Sequence, residues 1–116
     1  MAVTPARARA LALALPDAEE RPHVDRFAFR TPRKTFATLA GDGRDINLMF
    51  DHALQEHYCA MAPEAFEVHP SGWGRMGITR CALKRVDAAT LASALQAAHA
   101  LAQPKPKAAR KRKAKP

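Results

Sequence analysis

Residues 104–116 hold Lys105, Lys107, Arg110, Lys111, Arg112, Lys113 and Lys115 and no acidic side chain. A cluster of that kind does one sort of chemistry. It binds polyanions, because a cationic segment laid along phosphates releases condensed counterions. The other twelve Lys and Arg are matched by eleven Asp and Glu, so residues 1–103 are close to neutral. The pI of about 10.2 therefore belongs to the C-terminal segment. The expected partner is nucleic acid, DNA rather than RNA, held without sequence specificity.

The rest of the chain offers a weaker version of the same chemistry. Arg26 and Arg30 alternate with Phe27 and Phe29, which places the two guanidiniums on one face of a strand. Arg33 and Lys34 follow in a turn, and Arg75 and Arg80 fall in a later predicted strand beside Trp73. If these strands are neighbours, their cations can touch phosphates and Trp73 can stack on a base. The plainer reading is a solvated sheet face, since Asp25, Asp42 and Asp45 lie close by, and a core tryptophan.

Other chemistries find no motif. His52 and His57 flank Glu56 but are five residues apart, whereas two zinc-binding histidines on one helix face stand four apart. Cys59 and Cys81 are isolated, with no C-x-x-C pair. Ser71 and Ser93 lack a nucleophile-elbow setting, and no glycine pattern suits a phosphate loop. Neither a metal, a cofactor nor an enzymatic activity is expected. A site formed by His52, His57 and His69 around the Trp73 loop is the enzyme alternative.

These residues must be positioned by a small fold. The 116 residues allow one domain, expected over 1–103, and a disordered Lys/Arg/Ala/Pro segment over 104–116. Thr4 caps a first helix with Pro5 at its first position, and Pro16 ends it. Residues 16–22 read as an acidic connector. Strands are predicted at His23–Arg30, Lys34–Ala40 and Asp45–Phe50, forming an antiparallel meander turned by Thr31-Pro32-Arg33 and Gly41-Asp42-Gly43. Asp51 caps a second helix that runs to Met61 before Pro63, and a short extended piece is expected at Phe66–Val68. The last strand is expected over Trp73–Leu83, with Gly74 and Gly77 marking a bulge or a close approach. A third helix follows the Asp87 cap. The fold class is α+β, an antiparallel sheet of about four to five strands with N-terminal, middle and C-terminal helices. Leu, Phe, Ile, Met and Trp73 are expected to fill the core.

No apolar run approaches the about 20 residues a membrane helix needs. The short Ala10–Leu15 stretch after Arg7 and Arg9 reads as helix in the mature protein, not as a leader. Two unpaired cysteines suit a reducing compartment, so a cytoplasmic, monomeric protein is expected, with nucleoid association as an option.

The order of several strings is similar to that in the MmcQ/YjbR family of small bacterial proteins. They are Ala14-Leu15-Pro16 with the acidic run to Pro22-His23, then Phe27–Arg30, Lys34-Thr35-Phe36-Ala37-Thr38-Leu39 and Ile46-Asn47-Leu48. Gly72-Trp73-Gly74-Arg75-Met76-Gly77 and the closing helix complete the match, over about residues 4–103. The resemblance implies a YjbR-like α+β fold and, by fold analogy, DNA binding; it implies no catalytic residues. Many members carry Ser-Tyr where this chain has Ala98-His99, and the basic segment, which resembles the tails of linker-histone-like proteins, is an addition. The expected function is non-enzymatic nucleic-acid binding driven by residues 104–116. The alternative is an adaptor that binds a small ligand or a protein, with the basic segment only localising it.

Overall fold

A computed structural model describes residues 2–103; Met1 and residues 104–116, with their seven cations, lie outside the described residues. Helix α1 (Pro5–Leu13) precedes four strands, β1 (Glu19–His23), β2 (Arg26–Arg30), β3 (Thr35–Ala40) and β4 (Asp45–Met49). Helix α2 (His52–Met61), strands β5 (Phe66–Val68) and β6 (Ile78–Ala82) and helix α3 (Ala88–Ala102) follow, with short 3-10 turns at Gly72–Met76 and Leu83–Arg85. The fold is α+β, as expected, with all pairings antiparallel in one six-stranded sheet of order β1-β2-β3-β4-β6-β5.

Three side chains set where the helices start. Thr4 Oγ1 accepts from the Arg7 N–H at 3.1 Å, Asp51 Oδ1 from Leu54 at 2.9 Å and Asp87 Oδ1 from Thr90 at 2.7 Å. Each satisfies a helix N–H that has no partner within the helix. The helices gather on one face of the sheet. α1 and α3 pack on each other and on β3, burying Ala8 and Ala12 against Leu91, Leu95 and Ala98. In α2, Tyr58 lies between Phe50 and Phe66, each 5.2 Å away, and its hydroxyl is 2.6 Å from Ser93 Oγ of α3.

A bulge between β2 and β3 decides which way one large aromatic turns. Phe29 pairs with Ala37 and Arg30 with Thr35, so Phe36 is the additional residue. Strict alternation would put Phe36 on the same face as Thr38. The bulge instead turns it to α3, fully buried, with its ring edge-on to His99 at 5.2 Å. His99 is itself a core residue, and its Nε2–H donates to the Pro16 carbonyl at 2.8 Å. The Ala98-His99 pair that departs from the family pattern thus ties α3 to the α1–β1 connection.

Two expectations are corrected. The acidic connector is half strand: Glu19–His23 pairs with β2, and the predicted strand at His23–Arg30 is broken by a hairpin turn at Val24-Asp25. The predicted strand at Trp73–Leu83 begins only at Ile78, because Gly72–Met76 winds into a 3-10 turn.

Cys81 is fully buried on the helix-covered face of β6, and burial, with the Asp45 charge as a second cause, pushes its thiol up to about 12. Cys59 is half-buried and is also raised, by burial and then by Glu67. Thiolate is the reactive form, so at pH 8 no more than one thiol should react with a disulfide reagent in the native protein, and both after unfolding. Two fast native thiols would contradict the core placement of Cys81. The unfolded chain ionises Cys81 near 9.0 and the native one near 12, so this group lowers stability as pH rises through that window.

Candidate functional site

The face of the sheet opposite the helices carries Ala28 on β2, Thr38 on β3, Asn47 and Met49 on β4 and Ile78 on β6. These residues floor a groove of about 650 Å3. One wall is the β1–β2 hairpin, with His23, Val24 and Asp25; the other is formed by His69, Trp73 and Met76. Val24, at the hairpin tip, holds a left-handed backbone with φ 57° and is 97% exposed. That conformation is costly for a β-branched residue.

The Trp73 wall is built from beneath. Gln55 of α2 is buried, and its Nε2 donates to the Gly74 carbonyl at 2.9 Å and to the Ile78 carbonyl at 3.1 Å. His52 Nε2 bonds the Arg75 carbonyl, and Ser71 Oγ accepts from the Trp73 N–H. Gly74 sits where a Cβ would fall 2.2 Å from the His69 carbonyl oxygen. Trp73 is held on this frame with 58% of its surface exposed, so it is not the core residue expected. His69 accepts from the Ser71 N–H at Nδ1, 3.1 Å away. Burial, then Arg80 and Arg26, lower its pKa, which keeps the ring neutral near pH 7.

The cations of the sheet divide into two groups. Arg26 reaches across β3, donating from Nε to Thr38 Oγ1 at 2.8 Å and from Nη2 to the Thr38 carbonyl and to Asp45 at 2.7 and 2.9 Å. Arg80 is paired with Glu67 on β5, with Nη2 to Oε2 at 2.6 Å. Both charges are met by acids within the sheet. Arg30, Arg33 and Lys34 instead cluster at the β2–β3 turn, away from the groove. Arg30 Nε donates to the Thr31 carbonyl at 3.2 Å, and the Arg33 guanidinium donates to the Leu101 carbonyl of α3 at 3.3 Å. Thr31 Oγ1 donates to the Ala102 carbonyl at 2.7 Å. Arg75 is exposed and lies in the 3-10 turn, not in a strand. The structure therefore brings Arg26 and Trp73 to one groove and Arg30, Arg33 and Lys34 to the end of α3. Lys105, Lys107, Arg110, Lys111, Arg112, Lys113 and Lys115 lie outside the described residues.

Asn47 and Gln55 were not singled out by sequence reasoning. Asn47 carried one usable signal, a polar residue on the outward side of a strand whose inward positions, Ile46 and Leu48, are apolar. Gln55 carried none, since an amide in a helix is ordinarily solvated. Among the described residues, no group of three or more His, Cys, Asp or Glu side chains is placed to hold a metal ion. His52 and His69 are both tied to the Trp73 turn, while His57 packs edge-on to Tyr58 on α2.

A single antiparallel sheet with helices on one face and a walled groove on the other defines a small α+β protein with one open sheet face. The chain belongs to the YjbR family, whose model matches residues 13–101. It is similar in structure to Deinococcus radiodurans protein DR2400, a crystal structure assigned to domain family DUF419, at 17% identity and a TM-score of 0.64. The similarity covers 78% of this chain and 71% of that one, and it concerns the fold. No curated protein matches the sequence.

Proposed function

We propose that the protein binds nucleic acid, DNA in preference to RNA, through a basic strip that begins at the β2–β3 turn and continues into residues 104–116. One observation carries this reading. The hydrogen bonds of Arg33 and Thr31 to Leu101 and Ala102 place Arg30, Arg33 and Lys34 against the last turn of α3, immediately before the segment that holds seven cations. Arg26 and Arg80 take little part, because Asp45 and Glu67 already neutralise them. In this reading the contacts are to phosphates, so they position the protein without reading bases. The protein is non-enzymatic and acts in the cytoplasm as a monomer. Among the described residues, no helix is long and apolar enough to cross a membrane.

Fluorescence anisotropy of the full chain on duplex DNA, single-stranded DNA and RNA tests it. Converting Arg30, Arg33 and Lys34 to Gln should flatten the slope of log affinity against log salt on duplex by about 2 to 3, close to 0.9 for each phosphate that is no longer neutralised. An unchanged slope would remove the turn from the interface.

A further inference from the structure

We propose that the groove on the uncovered face binds a small planar lactam, a ring that presents N–H beside C=O on one edge, to the side-chain amide of Asn47. This goes beyond nucleic-acid binding and does not depend on it. Asn47 lies in the middle of the floor, paired across the sheet with Thr38 on one side and Arg80 on the other. It is 3% exposed, and its Oδ1 is buried without a hydrogen-bond partner. An unpaired buried acceptor is costly, and folded proteins seldom retain one that nothing comes to satisfy.

Arg80 and Arg26 bond to other groups and not to Asn47 Oδ1. Arg80, directly opposite Asn47, is held by Glu67, and Arg26 is held by Thr38 and Asp45. A ligand must therefore bring the donor. An amide offers an acceptor and a donor side by side, so a ring with N–H next to C=O matches it whichever way the amide is turned.

The surroundings fix the rest of the ligand's chemistry. Met49, Ile78 and Ala28 make an apolar floor, and Trp73 and Met76, 58% and 68% exposed, offer a broad apolar wall for one ring face. The Gln55 bridge holds that wall in place before any ligand arrives, so little ordering cost remains to be met on binding. The groove volume of about 650 Å3 falls in the usual range for small-molecule sites. Its lining offers an anion no free cation: Arg26 is paired with Asp45, His69 is kept neutral, and Asp25 adds a negative charge. A neutral ring suits this lining better than a phosphate does.

Trp73 is the one tryptophan in the chain, so its fluorescence reports on the groove directly. The full chain would be titrated with uracil and hypoxanthine, and with 1,3-dimethyluracil, whose ring N–H groups are blocked by methyls. The titrations are run in high salt, where phosphate contacts are suppressed, so the groove is judged separately from the nucleic-acid reading. Saturable quenching by uracil or hypoxanthine is expected, with 1,3-dimethyluracil binding at least about tenfold more weakly. Asn47→Leu should lose the same factor. Met76→Ala, a change at an exposed position, should weaken binding several-fold while leaving the melting curve in place, and it serves if Asn47→Leu does not fold. The proposal is overturned if neither lactam binds up to millimolar concentration. Equal binding of the methylated ring overturns it too, as does full affinity in a folded Asn47→Leu or in Met76→Ala.

Discussion

Replacing Lys105, Lys107, Arg110, Lys111, Arg112, Lys113 and Lys115 by Gln is expected to abolish most of the affinity for duplex DNA. Seven neutralised phosphates at about 0.9 each account for about −6 of the salt slope, and the three cations of the β2–β3 turn bring the unaltered chain to about −9. Between 50 mM and 200 mM salt the unaltered chain should then lose about five orders of magnitude in affinity. The neutralised chain should keep only the shallow slope of about −2 to −3 that Arg30, Arg33 and Lys34 can supply. The measurement is anisotropy at several salt concentrations, with the same chain length throughout. If the neutralised protein retains the slope of the unaltered chain, near −9, the described residues 2–103 carry the interface and the C-terminal segment does not. If it loses all binding, the β2–β3 turn contributes nothing by itself, and the strip is confined to residues 104–116.

The largest effect on stability is expected at Gly77. Its φ is +106°, and a Cβ there would lie 2.2 Å from the Phe50 carbonyl oxygen and 2.9 Å from the Asp51 backbone. Gly77→Ala combines a left-handed backbone with a backbone collision that no rotamer relieves. A loss of about 3–5 kcal/mol is expected, a large share of the stability of a domain this size. The corresponding fall in Tm is about 15–30 °C. Gly72→Ala is the control, because a Cβ at Gly72 meets nothing within 4 Å. It should stay within about 0.5 kcal/mol of the unaltered protein. A Gly77→Ala protein melting within a few degrees of the parent would show that the turn relaxes, and that Trp73 is not rigidly placed.

Much of the architecture could be read from local chemistry. Thr4, Asp51 and Asp87 each announce a helix start within three residues of themselves, and all three caps form. The meander was legible too, because Phe27 and Phe29, and Ile46 and Leu48, recur at every second position, the period of a strand. What escaped depended on partners far away in the chain. Glu19–His23 has no buried face of its own and becomes a strand only because β2 offers it a ladder. Gly72–Met76 has the composition of a strand with glycines, but Gln55, nineteen residues before Gly74, bonds its carbonyls from below. Trp73 is pushed outward by that same support.

The site shows the same limit. Strand alternation places Arg26 and Arg80 outward, and outward is where they lie. Asp45 and Glu67, nineteen and thirteen positions away, pair with them only once the strands are in register. Lys34 and Arg33 could not be placed beside the end of α3 without a hydrogen bond spanning 68 residues. Charge counting thus named these cations without showing that Arg26 and Arg80 already have acidic partners.

The two outermost strands bear on how this molecule lives among copies of itself. A sheet that leaves an edge unpaired invites another chain to extend it, the first step toward aggregation. At one margin β1 reads Glu-Glu-Arg-Pro-His, where Pro22 has no N–H to give and Glu19 and Arg21 are exposed charges. At the other margin β5 is three residues long. Neither offers a usable template for a further strand. One broad sheet face can therefore stay open to solvent while neither margin invites a further strand.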